Sequence, residues 1–550
     1  MVADGEISEV YTEMYTMEQP SQAKKGVERW GVWGVLLMAA VLLFFRLGER
    51  ALWWDEIINV YIDQQSVRGI LTSLGAIPGA PTYVDVHPPL FHLIQHYWLI
   101  LAGDSDFAVR FPNAVFALLA LYWLYHIGRK VGGPVYGLVA MLVIALSPFW
   151  LMYARMARYY ALTTMLGLAS TFFYLELLES PTRTRWGIYG VVNMLLLYTD
   201  YLAAILLVCQ CLYLLFIHPD KRWVRTWFLS MICVGVIYLP WLPAWYRQTH
   251  MMHGLIEADL AHSFLGTVFK FAFPLLSFTT GETMFPWELP ALIGYVLCAG
   301  LLIYGIRALL RQSSSLSWHG SRLSFVLLFT LLPVLGTIAV ITFITPTITF
   351  IGIGNRTFFA FPFLGLLLAS GLCALKRPRI TIFVAILLVS IWGYGSYNYY
   401  VGRNFFNPVY AVPTEQVVAD VLTQAQPGDV IFSDVDMGFG YYFDKQTHAE
   451  VSHYFFGSQE ASEVLDQIRQ DLASGHSPTH KRVFILIMGR DRTRRELPRE
   501  LMLLLQPPTR LLWEQGYVRQ DETYRQVKRM LLGREDYQYK LLVQLYELSQ

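Results

Sequence analysis

Charge is what this sequence has least of. Asp, Glu, Lys and Arg make up 15% of its 550 residues against 55% hydrophobic ones, and its mean hydropathy is +0.40. Soluble domains carry about a quarter charged residues, so lipid is the expected solvent. Basic and acidic residues balance at 42 against 41, and no basic run is interleaved with aromatics, which excludes nucleic acid as a partner. Cysteine is also scarce. Cys209, Cys211, Cys233, Cys298 and Cys373 all sit inside apolar runs, with neither a disulfide framework nor metal-ligand spacing. The first 23 residues are acidic (Asp4, Glu6, Glu9, Glu13, Glu18) and lack the basic segment and cleavage site of a signal peptide, so the first span is expected to stay in the mature chain. No internal repeat is visible.

What is present is a series of apolar runs. They begin near Trp30, Phe107, Pro134, Tyr160, Trp186, Trp227, Trp287, Leu323, Phe358 and Ile380, with one more after Asp200, predicting about eleven transmembrane helices of ~20 residues each. Lys24/Lys25/Arg29, Arg129/Lys130, Arg183/Arg185, Lys221/Arg222/Arg225, Arg307/Arg311 and Lys376/Arg377/Arg379 all fall on one side, the cytoplasm, if the N-terminus is inside. That register requires the stretch PPLFHLIQHYWLILAG, residues 88–103, not to cross. It is too short for a span, and the polar stripe of His92, Gln95 and His96 predicts an interfacial helix on the outer face. From about Tyr399 the composition changes to that of a soluble α/β domain: VVADVLTQAQPGDVIFSD reads as helix, turn and strand, and RVFILIM as another strand.

The outer face then collects the chain's isolated charges. Asp55 and Glu56 follow the pair Trp53/Trp54; a carboxylate desolvated there suits a general base taking a proton from a hydroxyl, although Asp55 could equally cap the helix that follows. Asp85 and His87 precede two prolines, as cavity residues or simply a helix start. Arg155 and Arg158, three apart on one helical face, suit phosphate oxygens, with interface anchoring as the alternative; Arg356, behind a glycine-rich turn, repeats the choice. Asp200, Lys270 and the loop histidines His250, His253 and His262 complete the set, the histidines being a weak metal signal.

In order, WWDE, DVHPPLFHLIQHYWLILAGDSDFAVRFPNAVFALLALYWLYHIGRK, SPFWLMYARMARYYAL, LYTDYLAAILL, LPWLP and NRTFFAFPFLGLLLASGL resemble the GT-C membrane glycosyltransferases, over residues 30–375. The likeness is to the bacterial branch similar to protein O-mannosyltransferases and aminoarabinose lipid A transferases. It implies a polytopic α-helical GT-C membrane protein whose C-terminal α/β domain is extracytoplasmic. It also implies a transferase using a polyprenyl-phosphate sugar, with Asp55 as the base and Arg158, Tyr160 and Arg356 at the matching positions toward the donor phosphate. The pattern of charges adds Glu56 beside Asp55 as a catalytic candidate, Arg155 and Lys270 toward the donor phosphate, and Asp85, His87 and Asp200 in the acceptor cavity. The chain departs from the family where Arg155-Met156-Ala157-Arg158 replaces the usual Gln-Glu-Ala-Arg, losing an acid, and where Thr199-Asp200-Tyr201 replaces Thr-His-Tyr. Either Asp200 stands in for the lost carboxylate, or the acceptor or the need for a divalent metal ion differs.

The expected organisation is a cytoplasmic tail at 1–29, a membrane catalytic domain at 30–398 with outer loops 49–106 and 247–286, and an outer soluble domain at 399–550. The N-terminus would be cytoplasmic, in the inner (plasma) membrane. Expected partners are the lipid-linked donor, membrane lipids, and a glycan, lipid or protein acceptor. Two other classes stay open: a polymerase or ligase using pyrophosphate-linked glycans, and a transporter. A transporter would place its charges at mid-membrane between inverted repeats.

Overall fold

The computed structural model describes residues 22–77, 85–217, 219–252, 264–313, 319–343, 352–407, 410, 412–433, 437–445, 451–456, 458–474, 480, 482–489, 509–518 and 540–548. All eleven apolar runs are helical. The chain opens with α1 (Gln22–Phe44), then three short helices, α2 (Trp54–Asp63), α3 (Val67–Ser73) and α4 (Leu90–Ala102). Next come α5 (Asp106–Gly132), α6 (Pro134–Leu146), α7 (Pro148–Ala154), α8 (Tyr160–Glu179), α9 (Arg183–Leu197), α10 (Ala204–Ile217), α11 (Lys221–Tyr238) and α12 (Leu242–Met252). The helical part closes with α13 (Phe264–Thr280), α14 (Leu289–Ser313), α15 (His319–Phe343), α16 (Ile353–Arg356), α17 (Phe361–Ala374) and α18 (Pro378–Val401).

Among the described residues, six helices are individually long and apolar enough to cross a membrane, and α6 with α7, bent by 69° between them, would make a seventh. The run after Asp200 and the one from Phe358 are apolar but shorter. Both begin beside polar residues, Asp200 before α10 and Asn355/Arg356 of the short α16 before the Phe358 run, and the segments leading into them carry these side chains into the helical body. The expected outer loop 247–286 is largely helix: α13 lies within it and packs on α14 and α16. Close helix crossings rest on small residues. A side chain at Gly128 would stand 2.7 Å from the Gly137 Cα, so α5 and α6 approach backbone to backbone.

The helix at 88–103 is short, as expected, but its polar stripe faces inward. Thirteen residues span about 20 Å against a hydrocarbon core of ~30 Å. His92 and Gln95 are buried, while Tyr97, Ile100 and Leu101 are exposed. The stripe finds its partners inside: Gln95 Nε2 donates to Val109 O at 2.7 Å, and Trp98 Nε1 donates to Ala108 O at 2.8 Å. Pro112 explains the second contact, because its missing N–H leaves the Ala108 carbonyl without its helical partner.

The 27 residues of α5 run for about 40 Å and separate two polar ends. Around its C-terminus, Lys130 pairs with Glu179 (2.6 Å) and Glu176, Arg185 with Glu176 (2.6 Å), and Arg129 with Glu28 (3.3 Å). Around its N-terminus stand Glu56, Arg110 and Ala157. The expected cytoplasmic cations that the structure pairs thus gather opposite the expected outer group. A reporter fused after Gly103 should therefore report the outer side and one fused after Lys130 the cytoplasm; reversed signals would make α4 a span and overturn the register.

The C-terminal region holds α19 (Thr414–Gln424), β1 (Val430–Ser433), α20 (Met437–Lys445), β2 (Ser452–Phe455), α21 (Gln459–Ala473), β3 (Arg482–Gly489), β4 (Thr509–Val518) and β5 (Lys540–Leu548). They form a five-stranded mixed sheet ordered β2-β1-β3-β5-β4, with β1 parallel to both neighbours. The two strands expected from VIFSD and RVFILIM are β1 and β3. This region does not stand apart: Val417, Val418, Val421, Phe439 and Phe484 share one apolar core with Leu52, Ile57, Val60 and Ala157. Tyr442 Oη receives the Leu52 N–H at 2.7 Å and donates to Asp106 Oδ2 at 2.5 Å. The C-terminal region therefore clamps the segment that leads into α2, where Asp55 stands.

Candidate active site

The two adjacent acids of the first outer loop occupy different worlds. Asp55 and Glu56 lie in the first turn of α2, where side chains one residue apart point to different faces. Glu56 is fully buried. Its Oε1 accepts Arg110 Nε at 2.9 Å and the Ala157 N–H at 2.7 Å; its Oε2 accepts Arg110 Nη2 at 2.6 Å and reaches back to the Trp53 N–H at 3.1 Å. Arg110 also donates to the carbonyls of Arg50 (2.6 Å) and Ala51 (2.9 Å). This pair ties the end of α1's loop, the start of α2 and the residue before Arg158 into one piece.

Asp55 is partly exposed, and among the described residues its carboxylate accepts no hydrogen bond. The helix cap considered for it is not formed: Trp53 holds the N-cap position, and Glu56 reaches back to its N–H. Burial pushes the Asp55 carboxyl above its ordinary range against the pull of Arg158.

Beside it, Arg158 Nη1 donates to Asp85 Oδ2 (2.9 Å), to Asn59 Oδ1, and to the Asp55 carbonyl (3.3 Å). Asp85 in turn contacts His87 Nδ1 and sits 3.7 Å from His92 Nε2, whose Nδ1 meets Asp63 Oδ1 at 2.7 Å. Charges therefore alternate from Arg158 through Asp85 and His92 to Asp63. Burial opposes the ionisation of Asp85, but His87 and Arg158 outweigh it and hold its carboxyl well below the usual range. Burial alone would lower His92, yet Asp63 beside it lifts the imidazole to about 9. Burial also lowers His87, whose ring lies 4.1 Å from that of Tyr159.

Tyr160 and Arg356 close the other side. Asn355 Nδ2 donates to Tyr160 Oη at 2.9 Å, and Arg356 Nη1 donates to Gly352 O at 2.7 Å. The charge of Arg356 acts on Asp55, His87 and Asp200 alike, so all three lie within its electrostatic reach. Asp200 accepts the Leu202 N–H at 3.0 Å, and burial pushes its carboxyl up to about 7. Glu282 is a carboxylate that sequence reasoning missed. Its Oε2 accepts Tyr153 Oη at 2.8 Å, its Oε1 has no partner among the described residues and abuts Gly354, where any side chain would collide, and burial lifts it to about 7. A lone acid in the apolar stretch SFTTGETMF was the available signal. Asn59, Asp63 and Arg110 were missed too, because each stands inside a helical run.

Two expected members do not join. The helical-face argument for Arg155 and Arg158 fails because α7 ends at Ala154 and residues 155–159 are not helical. Arg155 Nη2 goes instead to Phe45 O at 2.9 Å, and its guanidinium stacks on Tyr399 and Tyr400, each at 5.2 Å. Lys270 is fully buried in α13 with no partner for its Nζ among the described residues. Among those residues no group of three or more His, Cys, Asp or Glu side chains is arranged to hold a metal; His253 and His262 lie outside them.

Chemically, the assembly offers one unpartnered carboxylate next to buried positive charge. Residues 86–246 match the model of the dolichyl-phosphate-mannose-protein mannosyltransferase family. No curated protein matches the sequence. The fold is similar to that of ArnT from Cupriavidus metallidurans in the apo state, at 13% identity and a TM-score of 0.55, over 94% of this chain and 98% of that one. It is similar also to the same organism's ArnT bound to undecaprenyl phosphate, at 12% identity and a TM-score of 0.50, over 93% and 97% of the two chains. The oligosaccharyltransferase of Archaeoglobus fulgidus aligns at 12% identity with a TM-score of 0.46, over 82% of this chain and 69% of that one. The fold is thus shared with ArnT over nearly the whole chain, and residues 86–246 carry a likeness to the mannosyltransferase family.

Proposed function

We propose that this multi-pass membrane glycosyltransferase moves a sugar from a polyprenyl-phosphate carrier to an acceptor hydroxyl at the outer face of the inner (plasma) membrane, with inversion. The observation that carries the reading is the Asp55 carboxylate, which accepts no hydrogen bond among the described residues and stands beside Arg158. In the proposed step Asp55 takes the acceptor's hydroxyl proton while the acceptor oxygen bonds to the anomeric carbon. The bond from that carbon to the phosphate oxygen breaks, and its electron pair leaves with the lipid phosphate. Charge then grows on the phosphate oxygens, where Arg158 and Arg356 would meet it. Such a leaving group needs no general acid.

Glu56 has a different part in this reading. With both oxygens committed to Arg110 and two backbone amides, it positions α2 rather than exchanging protons. Tyr160, held by Asn355, lines the donor side, while Asp85, His87 and Asp200 shape the acceptor side. ArnT with undecaprenyl phosphate supplies a precedent for the lipid carrier within the shared fold.

The test is transfer by the purified protein from synthetic polyprenyl-phosphate and polyprenyl-pyrophosphate sugars. Turnover with the monophosphate carrier is expected; turnover with the pyrophosphate carrier alone would make the chain a polymerase or ligase. Arg356→Ala should weaken donor binding by about tenfold or more, the worth of one charge-assisted hydrogen bond of roughly 1.5–3 kcal/mol. Unchanged donor affinity would reduce Arg356 to an interface anchor.

A further inference from the structure

Arg155 leads to a second site. It lines a cavity of about 250 Å³ bounded by the loop after α1, the end of α18 and the start of α19, whose lining includes Arg46, Arg50 and Arg110 but none of Asp55, Glu56, Arg158 or Arg356. Two of the arginines around it are already paired, Arg46 with Glu49 and Arg110 with Glu56, while Glu415 accepts the Ala51 N–H and its charge acts on Arg50. Arg50 and Arg155 are left without a carboxylate partner among the described residues. Arg50 donates to the carbonyls of Tyr399 and of Tyr410 (3.4 Å), and Arg155 to that of Phe45. Arg155 is only 3% exposed, and its Nε has no partner. A buried guanidinium with an unmet N–H and no counter-charge is costly to the fold unless an anion completes it.

The surroundings indicate what kind of anion fits. Two planar guanidinium groups supply the fork that suits the oxygens of a phosphate, and Tyr399 and Tyr400 stack against them from the end of the last span. Val41 on α1, Phe45 just past its end and Tyr397 on α18 are exposed large hydrophobic residues near the same helix ends, a lipid-facing rim to a charged interior. We propose that this cavity binds a phosphate-type oxyanion, as carried by an anionic lipid head group, at a site distinct from the one that holds Asp55. It requires nothing of the transfer reaction.

The test is binding, read as the thermal midpoint of the purified full chain in detergent. Short-chain phosphatidic acid is titrated against a diacylglycerol of the same chains, and against inorganic phosphate at matched ionic strength. Phosphatidic acid is expected to raise the midpoint saturably and diacylglycerol not to. An equal effect of inorganic phosphate would assign the site to a free anion of the same chemistry. Arg155→Gln should weaken the apparent affinity by about tenfold or more, the value of a charge-assisted hydrogen bond, and Arg155→Lys should retain part of it. Gln416→Glu, on the exposed face of α19 at the cavity lining, adds a negative charge without touching any arginine contact, and should weaken binding even where Arg155→Gln fails to fold. Equal stabilisation by diacylglycerol, or wild-type affinity in Gln416→Glu and in a folded Arg155→Gln, overturns the proposal.

Discussion

Replacing Asp55 by asparagine should lower the single-turnover rate of sugar transfer by roughly two to four orders of magnitude, the usual worth of general base catalysis, and leave donor binding nearly intact. The amide keeps the size and polarity of the carboxylate but cannot accept the acceptor's proton. Because the Asp55 carboxylate makes no hydrogen bond among the described residues, the exchange leaves no buried partner stranded, and the thermal midpoint should stay at the wild-type value. The pH profile provides an independent check. Burial raises the Asp55 carboxyl above its ordinary value near 4, so it takes up its proton, and the rate falls, at a higher pH than an ordinary carboxylate would allow. Full activity in Asp55→Asn would remove this residue from the chemistry.

Glu56→Ala, one residue away, should do the opposite. It strips Arg110 of its counter-charge in a buried site and leaves the Ala157 and Trp53 amides without their acceptor. Breaking a buried ion pair from one side typically costs about 3–5 kcal/mol, so the variant should show a much lower thermal midpoint and poor yield of folded protein. The double variant Glu56→Leu/Arg110→Met removes both charges and should recover part of the loss. A Glu56→Ala protein as stable as wild type, yet unable to transfer sugar, would return Glu56 to the catalytic role that its position in WWDE suggested.

The contrast between these two acids marks the limit of reading the chain by itself. The membrane class, the eleven helical runs and the short helix at 88–103 follow from local pattern. An isolated charge at the edge of an apolar run stands out in sequence, and so Asp55, Asp85, His87, Arg158, Asp200 and Arg356 were candidates before any fold was known, whereas Asp63 and Arg110, inside helical runs, were not. Partner choice does not stand out. Glu56 meets an arginine 54 residues away and an amide 101 residues away.

Arg155 shows the same limit in another form. Its place beside Arg158 in sequence suggested a shared face, but a helix that stops at Ala154 sends the two guanidinium groups to different partners, the Phe45 carbonyl and the Asp85 carboxylate. The stripe on α4 was legible as polar, whereas its inward direction depended on Val109 and Asp63 being brought against it. Spacing and hydropathy are properties of neighbours along the chain, so the sequence alone determined where the apolar helices lie, although among the described residues only six or seven of the eleven are long and apolar enough to cross a membrane, and it singled out the residues worth watching. Hydrogen bonds and ion pairs depend on distances of about 3 Å between groups far apart in sequence, and only the tertiary structure decided which of those residues are committed to one another and which, like Asp55, are left unpartnered.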